Sequence, residues 1–160
     1  MSAESASFSL EKPKAYRAIL LGGLSAGVLD ITAAFVVNGL KGRSPIWVLQ
    51  SIASGLLGAG SYKGGFKTAA LGTALHFLIA TVATAVYFLA SRRLKVLVRQ
   101  AIVCGLLYGV LVYMFMYLIV LPLAFPFRLS YPLKAVVTGL LIHMFCVGLP
   151  ISLVVRWHSK

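Results

Sequence analysis

Four runs of this chain, residues 16–40, 66–90, 100–121 and 131–157, are each longer than twenty residues and nearly free of charge. About 20 apolar residues in helical conformation are enough to cross the hydrocarbon core of a bilayer. The sequence therefore predicts an all-α, polytopic membrane protein with four transmembrane helices. Composition points the same way: 60% of the 160 residues are hydrophobic and 11% are charged, against roughly half and a quarter in a soluble domain. At this length one compact unit is expected.

Residues 1–15 are rich in Ser, Ala and Lys and read as a polar N-terminal tail, irregular or lying on the membrane surface. Residues 16–157 read as a single transmembrane helical domain. The first apolar run is too long for a signal-peptide core and is interrupted by Asp30, so it reads as a retained helix. Between the first two spans lies a shorter apolar run within residues 44–59. It is too short to span. Ser44 and Pro45 suit its N-cap and first helical position. Gln50, Ser51, Ser54, Gly55 and Gly58 give it a polar or small stripe, so it is either interfacial or re-entrant. Tyr62, Lys63 and Lys67 prefer the headgroup region and favour the shallower placement, and Gly64-Gly65 should break the chain before the next span.

The net charge of +12 raises the question of nucleic acid. The basic residues, however, sit between the apolar runs, as topology determinants and contacts to anionic lipid headgroups do. Arg92, Arg93, Lys95 and Arg99 of the second loop are the clearest such group. No basic face interleaved with aromatics is visible, so nucleic acid is not an expected partner. Nine Lys and Arg lie in the tail, second loop and C-terminus, against six in the first and third loops. The imbalance predicts that both termini are cytoplasmic. Cys104 and Cys146 fall at different depths and read as free thiols.

The spans carry an internal pattern. Gly23–Leu29 and Gly105–Leu111 share G-L-x-x-G-V-L, and the second and fourth spans share G-x-x-x-H at Gly72–His76 and Gly139–His143. The chain thus reads as two helical hairpins in parallel repeat, as in some transporter folds. Gly23, Gly27, Gly72, Gly105, Gly109 and Gly139 are the predicted helix-packing positions, because small residues let helix backbones approach. Tyr113–Tyr117 reads as lipid-facing packing, and Pro150 should kink the last span.

Helix layout, the small-residue turn within Gly22–Gly27, and histidines in a middle span and in the last give a weak resemblance to a family of small bacterial inner-membrane proteins, the YagU-like proteins. The resemblance implies a bacterial inner membrane and no established activity. This chain lacks the long first loop associated with that family.

Three ionisable residues sit far from the ends of apolar runs: Asp30, His76 and His143. Counted from the cytoplasmic ends they lie roughly 20 Å deep, each on a small-residue face. Ionisable groups there are costly and normally pair or face a cavity. The cluster could hold the bundle in register, carry protons or ions, or supply two axial haem ligands. A metal site would have three ligands but no carboxylate left to orient them. No nucleophile has a base at a useful spacing, no phosphate-binding loop occurs, and the other acids, Glu4 and Glu11, are in the tail. Enzymatic catalysis and a cofactor are therefore not expected. The favoured reading is a small proton- or ion-linked transporter using Asp30, His76 and His143. The alternative is a non-catalytic scaffold or accessory subunit, whose glycine pairs and basic loop would contact lipid, a second copy or a partner membrane protein.

Overall fold

The computed structural model describes residues 3–125 and 132–159, with side chains from residue 15 onward. Four helices are long and apolar enough to cross a membrane. Helix α1 runs Ala3–Gly39, and its apolar part is Ala15–Gly39. The short α2 is Pro45–Leu57 and α3 is Gly65–Arg93. The last two, α4 (Ala101–Ala124) and α5 (Leu133–His158), complete the set. The polar tail, expected to be irregular or surface-lying, continues α1 as helix from Ala3. The start of the predicted fourth span, including Tyr131, lies outside the described residues.

α2 begins as its sequence dictates. Ser44 Oγ accepts from the Trp47 amide at 3.2 Å, and Pro45, which has no N–H to leave unpaired, opens the helix. A 3-10 turn, Gly58–Lys63, leads to Gly64 and to Gly65, whose φ of 57° starts α3. The polar stripe of α2 faces inward. Gln50 donates to the Gly65 carbonyl at 3.1 Å, Ser61 donates to the Gln50 carbonyl at 2.9 Å, and Thr68 donates to the Ser61 carbonyl at 2.6 Å. The outward face is Ile46, Leu56 and Leu57. An interfacial helix turns its polar side to water and buries its apolar side in lipid. α2 has the opposite polarity: its polar side packs against α3 and the turn before it, and its apolar side is the exposed one.

The hairpins α1/α3 and α4/α5 pack in the same register. Gly23 lies against the Thr81 backbone, and Gly105 approaches the Gly148 carbonyl. Thr81 is five residues past His76, and Gly148 is five past His143. Gly27 meets Phe77 and Gly109 meets Met144, each the residue after its histidine. The repeat in sequence is therefore a repeat in contact. Gly72 lies instead against the Leu49 carbonyl of α2, and Gly139 lies under the Tyr113 ring.

The two halves diverge at two wide π-type stretches, Met116–Val120 and His143–Gly148, which precede Pro122 and Pro150. A proline ring clashes with the carbonyl four residues earlier and brings no N–H for it. Here that carbonyl belongs to Leu118 or Cys146, and each lies within a widened turn. The predicted disturbance at Pro150 thus takes the form of an inserted π turn.

The buried core is concentrated toward one end of the bundle, where Ala18, Tyr87, Phe88, Ile151 and Val155 meet. Tyr108 donates to the Ala83 carbonyl at 2.7 Å and Tyr87 to the Leu97 carbonyl at 2.9 Å, tying α3 to α4 and to the loop between them. Arg92, Arg93, Lys95 and Arg99 are exposed beyond this packed end. Toward the other end cavities open between the helices.

Candidate functional site

Asp30 lies on α1 three residues past Gly27, on the flank of the helix face that packs against α3. Because Gly27 admits α3 so closely, the His76 ring reaches the α1 backbone. Its Nε2 lies 2.9 Å from the Gly27 carbonyl oxygen and 4.0 Å from Asp30 Oδ2. A carbonyl only accepts, so Nε2 carries the hydrogen. The Phe77 ring stands edge-on to the imidazole, with centroids 5.4 Å apart.

His143 is held differently. Its Nδ1 donates to the Gly139 carbonyl one turn earlier at 2.9 Å, and the Tyr113 ring packs edge-on at 5.2 Å. Tyr113 also stacks on Tyr117, with centroids 5.8 Å apart. The expectation that this Met/Tyr run faces lipid is therefore corrected in part. Tyr113 is buried against His143 and Met116 lines a cavity, while Met114 and Phe115 do face outward. The signal was present in sequence, since Gly105, Gly109 and Tyr113 recur every four residues on one helix face.

Asp30, His76 and His143 border one cavity of about 290 Å³ in the middle of the bundle. Its wall contains repeat-equivalent positions: His76 with His143, Ala80 with Val147, and Asp30 with Val112. The last pair breaks the symmetry by placing one carboxylate where the second half has a valine. Asp30 and His143 also border a cavity of about 680 Å³ between α1 and α5, whose wall includes Lys41 and Lys134. Asn38 lines both, and also a third space of about 430 Å³ beneath Trp47. Arg43 sits over that side: it donates to Asn38 Oδ1 at 3.3 Å and stacks 4.1 Å above the Trp47 ring, which stacks on Tyr62.

No family model, curated protein or solved structure matches this chain. The site must be read from its own chemistry. Asp30 is the only acid after residue 11. Among the described residues its side chain makes no hydrogen bond, and His76 is its only ion-pair partner. It is one-fifth exposed, toward the cavities. Among the described residues no three His, Cys, Asp or Glu side chains converge closely enough to hold a metal ion. The two cysteines are free thiols in different helices. What the arrangement can do is bind a proton or cation at Asp30, beside the His76 imidazole.

Proposed function

We propose that this chain is a small proton- or ion-linked transporter of a bacterial inner membrane, with Asp30, His76 and His143 in its path. The observation that supports this most is that Asp30 opens onto cavities instead of being closed in by donors. A carboxylate used only to fix helix register would be expected to have its lone pairs filled, because unfilled ones in a low-dielectric interior are costly. A carboxylate that exchanges protons or cations needs open access and a nearby partner that responds to its charge.

His76 supplies that partner. Its ring is fixed by the Gly27 carbonyl, so it stays near Asp30 whichever charge Asp30 carries. His143 borders the same central space from the other hairpin, so a charge change there is felt by both halves. The packed end around Tyr87 and Tyr108 would close the path in this state, and the open end would be the extracytoplasmic one by the charge count.

The scaffold alternative keeps the exposed basic loop but loses its other support. Gly23, Gly27, Gly105 and Gly109 are used within the bundle, so those faces are not free for a partner helix. The haem alternative is disfavoured because His76 Nε2, the usual axial nitrogen, is turned onto the Gly27 carbonyl.

The deciding experiment is reconstitution into liposomes containing a pH-sensitive dye, with a pH or ion gradient imposed. Wild-type protein should dissipate the gradient faster than empty liposomes. Asp30→Asn, at equal incorporation, should return to the empty-liposome rate. Equal rates for wild type and Asp30→Asn would rule out this site as the path.

A further inference from the structure

The larger cavity has a polarity that the Asp30 site alone does not explain. Its mouth carries Lys41, just past the end of α1, and Lys134, in the first turn of α5. Both are exposed, and neither has an acidic partner among the described residues. Asp30 cannot serve them. Lys41 is eleven residues beyond it and Lys134 is nine before His143, so the mouth stands about 14–16 Å along the helices from the floor. Between mouth and floor the wall is mostly apolar, with Ala34, Val37, Ala135 and Ile142 alongside Asn38 and Thr138. At about 680 Å³ the space is of ligand-binding size.

From this we infer that the α1–α5 cavity binds an amphiphile with a single anionic head. The head sits between the Lys41 and Lys134 ammonium groups, and an apolar body of roughly ten heavy atoms lies along Ala34, Val37, Ala135 and Ile142. Two cations bordering one cavity favour a carboxylate or phosphate through charge-assisted hydrogen bonds. The mostly apolar wall beneath the lysines favours an apolar body under the head over a small, fully hydrated anion, because burying polar groups without partners is costly. The head could belong to a soluble organic acid or to an anionic lipid, since both present the same chemistry to the lysines. The inference deepens the transport reading by naming a ligand class for the same path, and it rests on that reading only for the ligand's purpose.

Equilibrium binding tests it without any gradient. The full-length protein in neutral detergent is titrated with decanoate in one arm and with dioctanoyl-phosphatidylglycerol in another. Dioctanoyl-phosphatidylcholine is the neutral-headgroup control. At least one anionic probe should bind and the phosphatidylcholine should not, and the arm that binds identifies the source. The double substitution Lys41→Gln/Lys134→Gln should raise that Kd about tenfold or more, the loss expected for two charge-assisted contacts. Lys63→Gln/Lys67→Gln, which removes two cations at the same end of the bundle but outside the cavity, should leave Kd within about twofold. Ala135→Phe, which fills the wall but keeps both lysines, should weaken binding as well. Three results would each overturn the inference: neither anionic probe binding, the two lysine pairs behaving alike, or Ala135→Phe binding as wild type. If the lysine result fails while Asp30→Asn still abolishes flux, the ligand assignment falls and the transport reading stands.

Discussion

His76 Nε2 stands 4.0 Å from Asp30 Oδ2, yet its hydrogen goes to the Gly27 carbonyl at 2.9 Å. The imidazole is therefore anchored to the α1 backbone and only accompanies the carboxylate. This separates two roles that a direct hydrogen bond would have merged. His76 ties the hairpin together, and the Asp30 carboxyl is left facing the cavities.

The separation gives the first prediction. Asp30→Asn replaces a partly exposed carboxyl that stands 4.0 Å from His76 and makes no hydrogen bond, so it should change stability by no more than about 1 kcal/mol. His76→Ala removes the bond to Gly27 and the contact with Phe77, and should cost about 1–3 kcal/mol. Thermal unfolding in detergent, followed by retention of the monodisperse fraction, checks the order of the two. A larger loss for Asp30→Asn would show that the carboxylate has a donor that the static geometry does not reveal.

Substitutions at the glycines should sort by what they face. At Gly109 an added methyl meets the His143 backbone and Met144 Cα, which cannot rotate away. At Gly139 it meets the edge of the Tyr113 ring, which can shift. Gly109→Ala should therefore cost about 1–3 kcal/mol, by forced separation of α4 and α5. Gly139→Ala should cost less in stability but move Tyr113, and with it the edge contact on His143. The same unfolding assay measures the first, and tyrosine fluorescence or the flux assay reports the second. Equal losses at both positions would contradict the packing described for α4 and α5.

Much of this architecture was legible in the sequence, and the limits of that legibility are physical. Span length and charge depletion are strong signals, so the four long helices are evident from residues alone. The G-L-x-x-G-V-L and G-x-x-x-H repeats marked close approach, but not which neighbour approaches. Gly72 faces the Leu49 carbonyl of a short helix, and Gly148, which packs on Gly105, belongs to neither motif. Depth along a helix placed Asp30, His76 and His143 at one level. Their different tethers depend on ring rotation, which helical spacing does not encode. The α2 stripe showed a helix of mixed polarity but not which face was inward. That required the bonds from Gln50 and Ser61.

Gln50 leads to the next prediction. It is buried, and its amide donates to the Gly65 carbonyl at the start of α3, with Thr68 Oγ1 at 3.4 Å. Gln50→Leu keeps the volume but removes one of the two side-chain donors to that carbonyl, leaving Thr68 Oγ1 at 3.2 Å, and should cost about 0.5–1.5 kcal/mol. The loss should be local, because α1, α4 and α5 do not depend on this contact. Hydrogen exchange should rise in residues 58–68 and stay unchanged around Ile151. Uniform acceleration across all four spans would mean that α2 supports the whole bundle.

The placement of α2 can be tested by chemistry at its outer face. In a Cys104→Ser/Cys146→Ser background, Leu56→Cys puts a single thiol on a face that is 68% exposed in the isolated bundle. If α2 lies in hydrocarbon, a charged, membrane-impermeant maleimide should label it slowly in intact membranes and rapidly in detergent-solubilised, denatured protein. Gly42→Cys in the preceding turn should label rapidly in both, once reagent is supplied on the correct side. Thiolate formation requires water, so the ratio of the two rates reads depth directly. Fast labelling of Leu56→Cys in intact membranes would return α2 to the interface. The sidedness of Gly42→Cys labelling tests orientation in the same experiment. Reagent outside should reach it if both termini are cytoplasmic, and reagent only inside should reach it if the bundle is inverted.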